Sequence, residues 1–303
     1  MLKCYCYFLV KNLKVHKSLS ESLIYLYLNV TAMASHEPFP TETPIFVHVA
    51  GSTPYVFYLE LKGEALEAVG VLEQVTDVLA GQGVPILQVS VIASSGTVKL
   101  VVFADVRERK LVDKLVTELG KVPYAINISY SGPLVDGFAY CDRCFPITVR
   151  GQRAVLFSRQ VYEGFFREGW RRFGTAFPVM LYMLGFESGR LTYQRHLEVA
   201  GGDVKAAVKV AEAFFQLLGY GRLEILKIDD TRREAVYRVY DSFECELFKG
   251  EGEIRAGFVR GLIGGWLAAR WDISEAEGIV VREEKCIAKG DPYCEARVWV
   301  EKK

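Results

Sequence analysis

Between 55 and 130 the apolar positions follow period two, then a helical period, then period two again. YVFYLELKG (55–63) alternates as a half-buried strand, and Val71, Leu72, Val75, Val78 and Leu79 fall on one face of a helix. Gly81 and Gly83 stop that helix. VPILQVSVIA (84–93) and TVKLVVFADV (97–106) read as two strands about a Ser94-Ser95-Gly96 turn. A second helix carries Leu111, Leu115, Val116 and Leu119, stops at Gly120 and leads into the strand YAINISY (124–130). Gly and Pro crowd 131–151, which predicts an irregular bridge. Two aromatic-rich helices follow, in RAVLFSRQVYEGFFREGWRRFG and FPVMLYMLGFESGRL, then a third over 203–219 with Asp203 as its cap and Gly219 as its stop. LEILKID (223–229) and EAVYRVYDSFECELF (234–248) alternate as paired strands. A Gly-rich helix (254–271) and two closing strands (278–288 and 293–301) complete the pattern.

The fold class is therefore α+β: a βαββαβ domain, then helices on an antiparallel sheet. The expected boundaries are an N-terminal extension at 1–43, a first domain at 44–132, a linker at 133–150 and a second domain at 151–303. Within the extension, Lys11, Lys14, His16 and Lys17 interrupt the apolar run, a poor match to a signal peptide. A start codon placed too early and a loosely attached helix are both open for residues 1–32. On GVLEQVTDVLAGQGVPILQVSV (70–91) and its element order, the first domain resembles the ACT family of regulatory modules and is ferredoxin-like. That resemblance implies a ligand held near the glycine that opens the first helix, here Gly70. The family's Asp-x-Pro-Gly is replaced by Glu67-Ala68-Val69-Gly70, and a module that only dimerises is the alternative.

Composition narrows the classes. Half of the 303 residues are apolar, and Lys plus Arg equals Asp plus Glu at 37 each. This excludes a disordered chain and gives no global basic surplus for nucleic acid. No apolar run reaches the roughly 18 residues a membrane span needs. Seven cysteines are an odd number that cannot all pair, and nothing else suggests secretion. A cytoplasmic, reducing setting is expected, where clustered cysteines serve metal or redox chemistry.

Glu283, Cys286 and Cys294 surround a Gly290-Asp291-Pro292 turn, so two thiolates and a carboxylate can converge at a hairpin mouth, a donor set zinc accepts. With GFVRGLIGGWLAARW, the run EEKCIAKGDPYC resembles the 4-vinyl-reductase family across roughly 150–300. That family includes aromatic-sensing domains and shares its fold with vesicle-tethering TRAPP subunits. The resemblance implies a structural zinc held in the aromatic sensors by an upstream Cys, a Glu and two Cys. Glu283, Cys286 and Cys294 match the last three. The first position falls at Ala256, and Cys245 is the nearby thiol that can substitute.

Cys141-Asp142-Arg143-Cys144 has CxxC spacing without a second CxxC or a surrounding thioredoxin-like unit. A reversible disulfide, a half-site between subunits and an incidental feature all remain open. Eight arginines between 150 and 195 interleave with aromatics, a pattern that suits an anionic ligand or a solvated helix face. Phe166, Trp170, Phe177, Met180 and Trp266 are the candidate lining of an apolar pocket, against the alternative that they are plain core. His196 is the only histidine of the second domain. The expected function is a homodimeric, zinc-stabilised sensor of a hydrophobic or aromatic small molecule that signals to a downstream protein partner. A tetrapyrrole vinyl reductase and a TRAPP-like scaffold are the alternatives. No G-x-G-x-x-G follows a strand to bind a hydride donor.

Overall fold

A computed structural model describes residues 40–94 and 96–301, and the expectations for residues 1–32 lie outside them. The chain divides between Ala154 and Val155 into two compact units. Each is α+β and built on a four-stranded antiparallel sheet. No helix among the described residues is long and apolar enough to cross a membrane.

In the N-terminal unit a short strand β1 (Phe46–His48) precedes β2 (Pro54–Lys62), α1 (Val71–Ala80), β3 (Ile86–Ser94), β4 (Thr97–Asp105), α2 (Arg109–Leu119) and β5 (Ala125–Ser131). The sheet order β3-β4-β2-β5 completes the βαββαβ arrangement. Alternation puts Tyr55, Phe57, Leu59 and Leu61 on the helix-covered face, where Val75, Leu79, Leu115 and Leu119 close the core. Gly70 stands immediately before α1 with φ 89°, a left-handed conformation that explains glycine there without a ligand.

β2 is not half-buried as its alternation predicts, because Pro54–Leu59 are buried on both faces. β1 pairs with β6 (Phe138–Tyr140) into an antiparallel ribbon. The ribbon lies on the outer face of the sheet: Val47, Ala139 and Cys141 pack with Val56, Tyr58, Val101 and Phe103. Residues 133–150, expected as a linker, thus supply part of a second small core. Cys141 and Cys144 are disulfide-bonded. A two-residue hairpin, β7 (Thr148–Val149) with β8 (Gln152–Arg153), ends the unit.

The C-terminal unit contains α3 (Arg159–Phe173), α4 (Ala176–Val199), α5 (Val204–Leu217), β9 (Arg222–Asp229), β10 (Glu234–Tyr240), a helical turn α6 (Phe243–Glu246), α7 (Phe258–Arg270), β11 (Ile279–Lys285) and β12 (Cys294–Val300). The sheet order is β11-β12-β10-β9. The side chain of Asp203 accepts the Lys205 and Ala206 N–H groups and caps α5, as its position predicts. The strand expected over 234–248 stops early. Asp241 turns the chain at φ 53°, and Ser242 caps α6 by accepting the Cys245 N–H.

α4 and α7 meet backbone to backbone. A Cβ on Gly185 or Gly189 of α4 would overlap the carbonyl of Phe258 or Leu262, and one on Gly261 or Gly265 of α7 would overlap that of Tyr182 or Phe186. The start of α7 is held by Glu244, which is fully buried and accepts the N–H groups of Gly257, Phe258 and Val259 at 2.7, 2.9 and 2.8 Å. Burial pushes its pKa up to about 7, opposed by those three donors.

Gly265→Ala is expected to destabilise this unit by about 3 kcal/mol or more, because overpacking outweighs the ~1 kcal/mol gain in helix propensity. Gly164→Ala in α3, where nothing lies within 4 Å of a new Cβ, should gain up to about 1 kcal/mol. Urea unfolding of both variants checks this; effects of the same sign would contradict the backbone contact.

Candidate metal centre and apolar cavity

Cys245, Glu283, Cys286 and Cys294 come together in the C-terminal unit, with one potential ligand atom from each lying within 4.8 Å of all the others. Cys245 comes from the capped turn α6, not from a strand, and Glu283 from the end of β11. After β11 the chain makes a tight knuckle. The Cys286 N–H donates to Asp291 Oδ2 at 2.8 Å, and Gly290 is left-handed at φ 106°. This returns Cys294, at the start of β12, to Cys286. The Cys286 sulfur stands 3.6 Å from that of Cys245 and 4.0 Å from that of Cys294. Tetrahedral coordination with metal–sulfur bonds near 2.3 Å places sulfurs about 3.8 Å apart. All three cysteines are free thiols and buried.

Charge and hydrogen bonding favour a cation at this point. Glu283 is 9% exposed and neither of its oxygens has a hydrogen-bond partner. Burial, followed by the neighbouring Cys286, holds its pKa well above the ordinary carboxylate range. An unpaired buried carboxylate is costly unless it neutralises or meets a positive ion. The Cys286 thiol is shifted far in the other direction, first by hydrogen bonds from the Cys245 and Cys294 thiols and in smaller part by the backbone N–H groups of Arg255 and Ala288. The Ile287 N–H donates to the Cys294 sulfur at 3.4 Å. Backbone donors around sulfur stabilise thiolates and orient them as ligands. Three sulfurs and one carboxylate oxygen make this cluster able to hold a metal ion.

A separate cavity of about 130 Å³ lies in the same unit, lined by Thr192 and His196 of α4, Phe214 and Phe215 of α5, Leu223 of β9 and Trp266 of α7. Its walls are predominantly apolar, with a directed polar couple: Trp266 Nε1 donates to His196 Nδ1 at 3.1 Å. The His196 ring also stacks on Phe214 at 5.1 Å. Of the residues expected to line a pocket, only Trp266 reaches this cavity. Phe166 and Phe177 are buried in the main core, and Trp170 packs against that core beneath the Arg255 guanidinium, 4.4 Å from its ring. Met180 is 44% exposed. Gly70 lies in the other unit and lines neither this cavity nor the one on that unit's sheet. The sequence does not signal the pairing of His196, because its donor lies 70 residues away, beyond any local spacing.

No protein-family model matches the chain, and neither does any curated protein. Among solved structures, the chain is similar over 49% of its length to 77% of the phenol-responsive sensory domain of the transcription activator PoxR, at 18% identity and TM-score 0.44. It is similar over 50% of its length to 86% of a vinyl-4-reductase family protein from Methanocaldococcus jannaschii, at 18% identity and TM-score 0.32. The ACT domain of a Chlorobium tepidum GTP pyrophosphokinase matches 26% of the chain over 99% of its own length, at 15% identity and TM-score 0.23. Likenesses this distant are partial and carry no role across to this chain.

A metal-filled cluster predicts opposite pH behaviour for loaded and stripped protein. With metal, Glu283 and the thiolates must be deprotonated, so stability is lost as pH falls. Without metal, the raised Glu283 pKa favours the neutral acid in the fold. Its stabilising contribution is then complete below the ordinary carboxylate pKa and is lost as pH rises through the raised folded value. Thermal melts across pH, before and after chelation, check the reversal. Cys286→Ser should abolish it by releasing the metal.

Proposed function

We propose that the C-terminal unit is a sensor domain for a compact hydrophobic or aromatic small molecule. Zinc held by Cys245, Glu283, Cys286 and Cys294 fixes its fold, and the ACT-like N-terminal unit is a regulatory module. The observation that carries this reading is the apolar cavity of about 130 Å³ with the Trp266–His196 couple in its wall. An engineered apolar cavity of about 150 Å³ stays dry and takes up benzene, so the size favours a single ring. Because α4, α5, α7 and β9 all contribute to the lining, an occupant contacts four elements at once. The room does not suit a tetrapyrrole, so the sensor reading is preferred to vinyl reduction. Zinc is preferred to other metals because it accepts a mixed sulfur and carboxylate set in tetrahedral geometry. A homodimer that relays occupancy to a downstream protein would supply the output.

Single-ring aromatics are expected to quench Trp266 fluorescence and to raise the melting temperature. At a hundredfold excess over Kd the gain is about 2.7 kcal/mol, or roughly 5–10 °C for a unit of this size. Trp266→Ala would confuse binding with the roughly 3–5 kcal/mol cost of core loss. Ala211→Leu is the cleaner test, since Ala211 lines the cavity and a larger side chain fills it. That variant should melt normally and lose the ligand response. Native mass spectrometry should find about one zinc per chain. A panel of benzene, phenol and cresols that leaves fluorescence and melting unchanged defeats the sensor reading.

A further inference from the structure

The outer face of the N-terminal sheet carries two neighbouring cross-strand rows, Ser90–Val101–Tyr58–Ser129 and Ile92–Lys99–Glu60–Asn127. The β1–β6 ribbon covers only part of this face. The remainder floors an open cavity of about 720 Å³, walled on one side by Cys141, Arg143, Cys144, Phe145, Pro146 and Ile147. The disulfide is thus part of a cavity wall.

Its two sulfurs have different surroundings. Cys141 is 6% exposed, packs with Val47 and Ala139, and donates its backbone N–H to Ile45 at 2.7 Å. Cys144 is only half-buried, and it opens a strap whose Phe145 is 74% exposed. Besides the disulfide, the Cys144 N–H donates to the Cys141 carbonyl at 3.2 Å, the Arg153 guanidinium lies 5.2 Å from the Phe145 ring, and the two residues between the cysteines are tied to the sheet. The Tyr58 hydroxyl donates to Asp142 at 2.7 Å, and the Arg143 guanidinium lies 4.9 Å from the Tyr58 ring. Burial pushes the Tyr58 pKa up to about 12, so the phenol stays a neutral donor. Among the described residues, cysteine sulfurs therefore occupy two settings: three buried, unlinked sulfurs in one unit, and in the other a linked pair facing a cavity.

We propose that Cys141–Cys144 is a reversible disulfide–dithiol site, reduced by a small thiol that enters this cavity and attacks Cys144. The thiolate of the reductant bonds to Cys144 Sγ while the Cys141–Cys144 bond breaks, and the electron pair leaves on Cys141 Sγ, which takes a proton. A second thiol then attacks the reductant's sulfur in the mixed disulfide, freeing the Cys144 thiol. Two reductant thiols become one disulfide, and one protein disulfide becomes two thiols. Arg143, in the same wall, supplies a positive charge that favours thiolate there. Cys141 stays anchored in the ribbon after reduction. The strap then keeps only these weaker contacts and opens the floor of the cavity.

Full-length, metal-loaded protein is incubated in its native state with reduced glutathione, alkylated, and mapped by mass spectrometry. Cys141 and Cys144 are expected to become alkylated together and to return to the disulfide with oxidised glutathione. Cys245, Cys286 and Cys294 should stay protected throughout. Exposed to oxidised glutathione, Cys141→Ser should trap the tripeptide on Cys144 at least about tenfold faster than Cys144→Ser traps it on Cys141. Tryptic cleavage after Arg143 should speed up at least about tenfold on reduction. A disulfide that glutathione reduces only after denaturation would make the pair an inert staple and overturn the proposal. Equal trapping by the two variants would overturn Cys144 as the attacked sulfur, and cleavage insensitive to reduction would overturn the strap opening.

Discussion

The C-terminal unit depends on the contact in which α4 and α7 touch without side chains between them. Gly185, Gly189, Gly261 and Gly265 leave the two backbones facing each other, with no room for a Cβ between them. That approach fixes the position of α7, and two further features are built from its ends. Near its C-terminal end, Trp266 reaches His196 on α4 and forms the wall of the apolar cavity. At its N-terminal end, three backbone N–H groups converge on Glu244, whose sequence neighbour Cys245 is a candidate metal ligand. Helix packing, cavity and metal cluster therefore form one connected arrangement.

Two buried carboxylates in this unit show how the same cost is met differently. Glu244 is enclosed completely and accepts the three N–H groups at the start of a helix, where the macrodipole favours a negative charge. Glu283 is nearly as buried and has no such donors. It stands among three sulfurs, in a cluster that could hold a metal ion, and a cation there would give it the compensation that a helix gives to Glu244. The first carboxylate is a structural cap; the second has no protein donor that plays this part.

The N-terminal unit buries its sheet on two sides by different means. Helices α1 and α2 cover one face with a large apolar core. The other face is covered in part by the β1–β6 ribbon, which buries Tyr58 and Val101 and leaves Ile92, Lys99 and Asn127 exposed. A regular βαββαβ fold thereby gains a second surface, bordered by a disulfide.

Local periodicity was enough to determine the order of the long strands and helices of both units, because each reports its face through neighbours only two to four positions away. The capping of α5 by Asp203 is set at equally short range. Glu283, Cys286 and Cys294 were legible for the same reason, since one β-strand end and one knuckle bring them together. Cys245 was harder: it sits on a capped turn where the alternation of 234–248 suggested a continuing strand. The ribbon pairing of β1 with β6 and the burial of β2 on both faces came only from tertiary structure, as residues about 90 positions apart in sequence had to meet. The same holds for the aromatic positions. Helical spacing placed Phe166, Phe177 and Trp266 on apolar faces, but only packing decided that the first two fill the core while Trp266 borders a cavity. A sequence records which side chains must leave water; where they leave a gap depends on the shapes of elements that meet only in the folded chain.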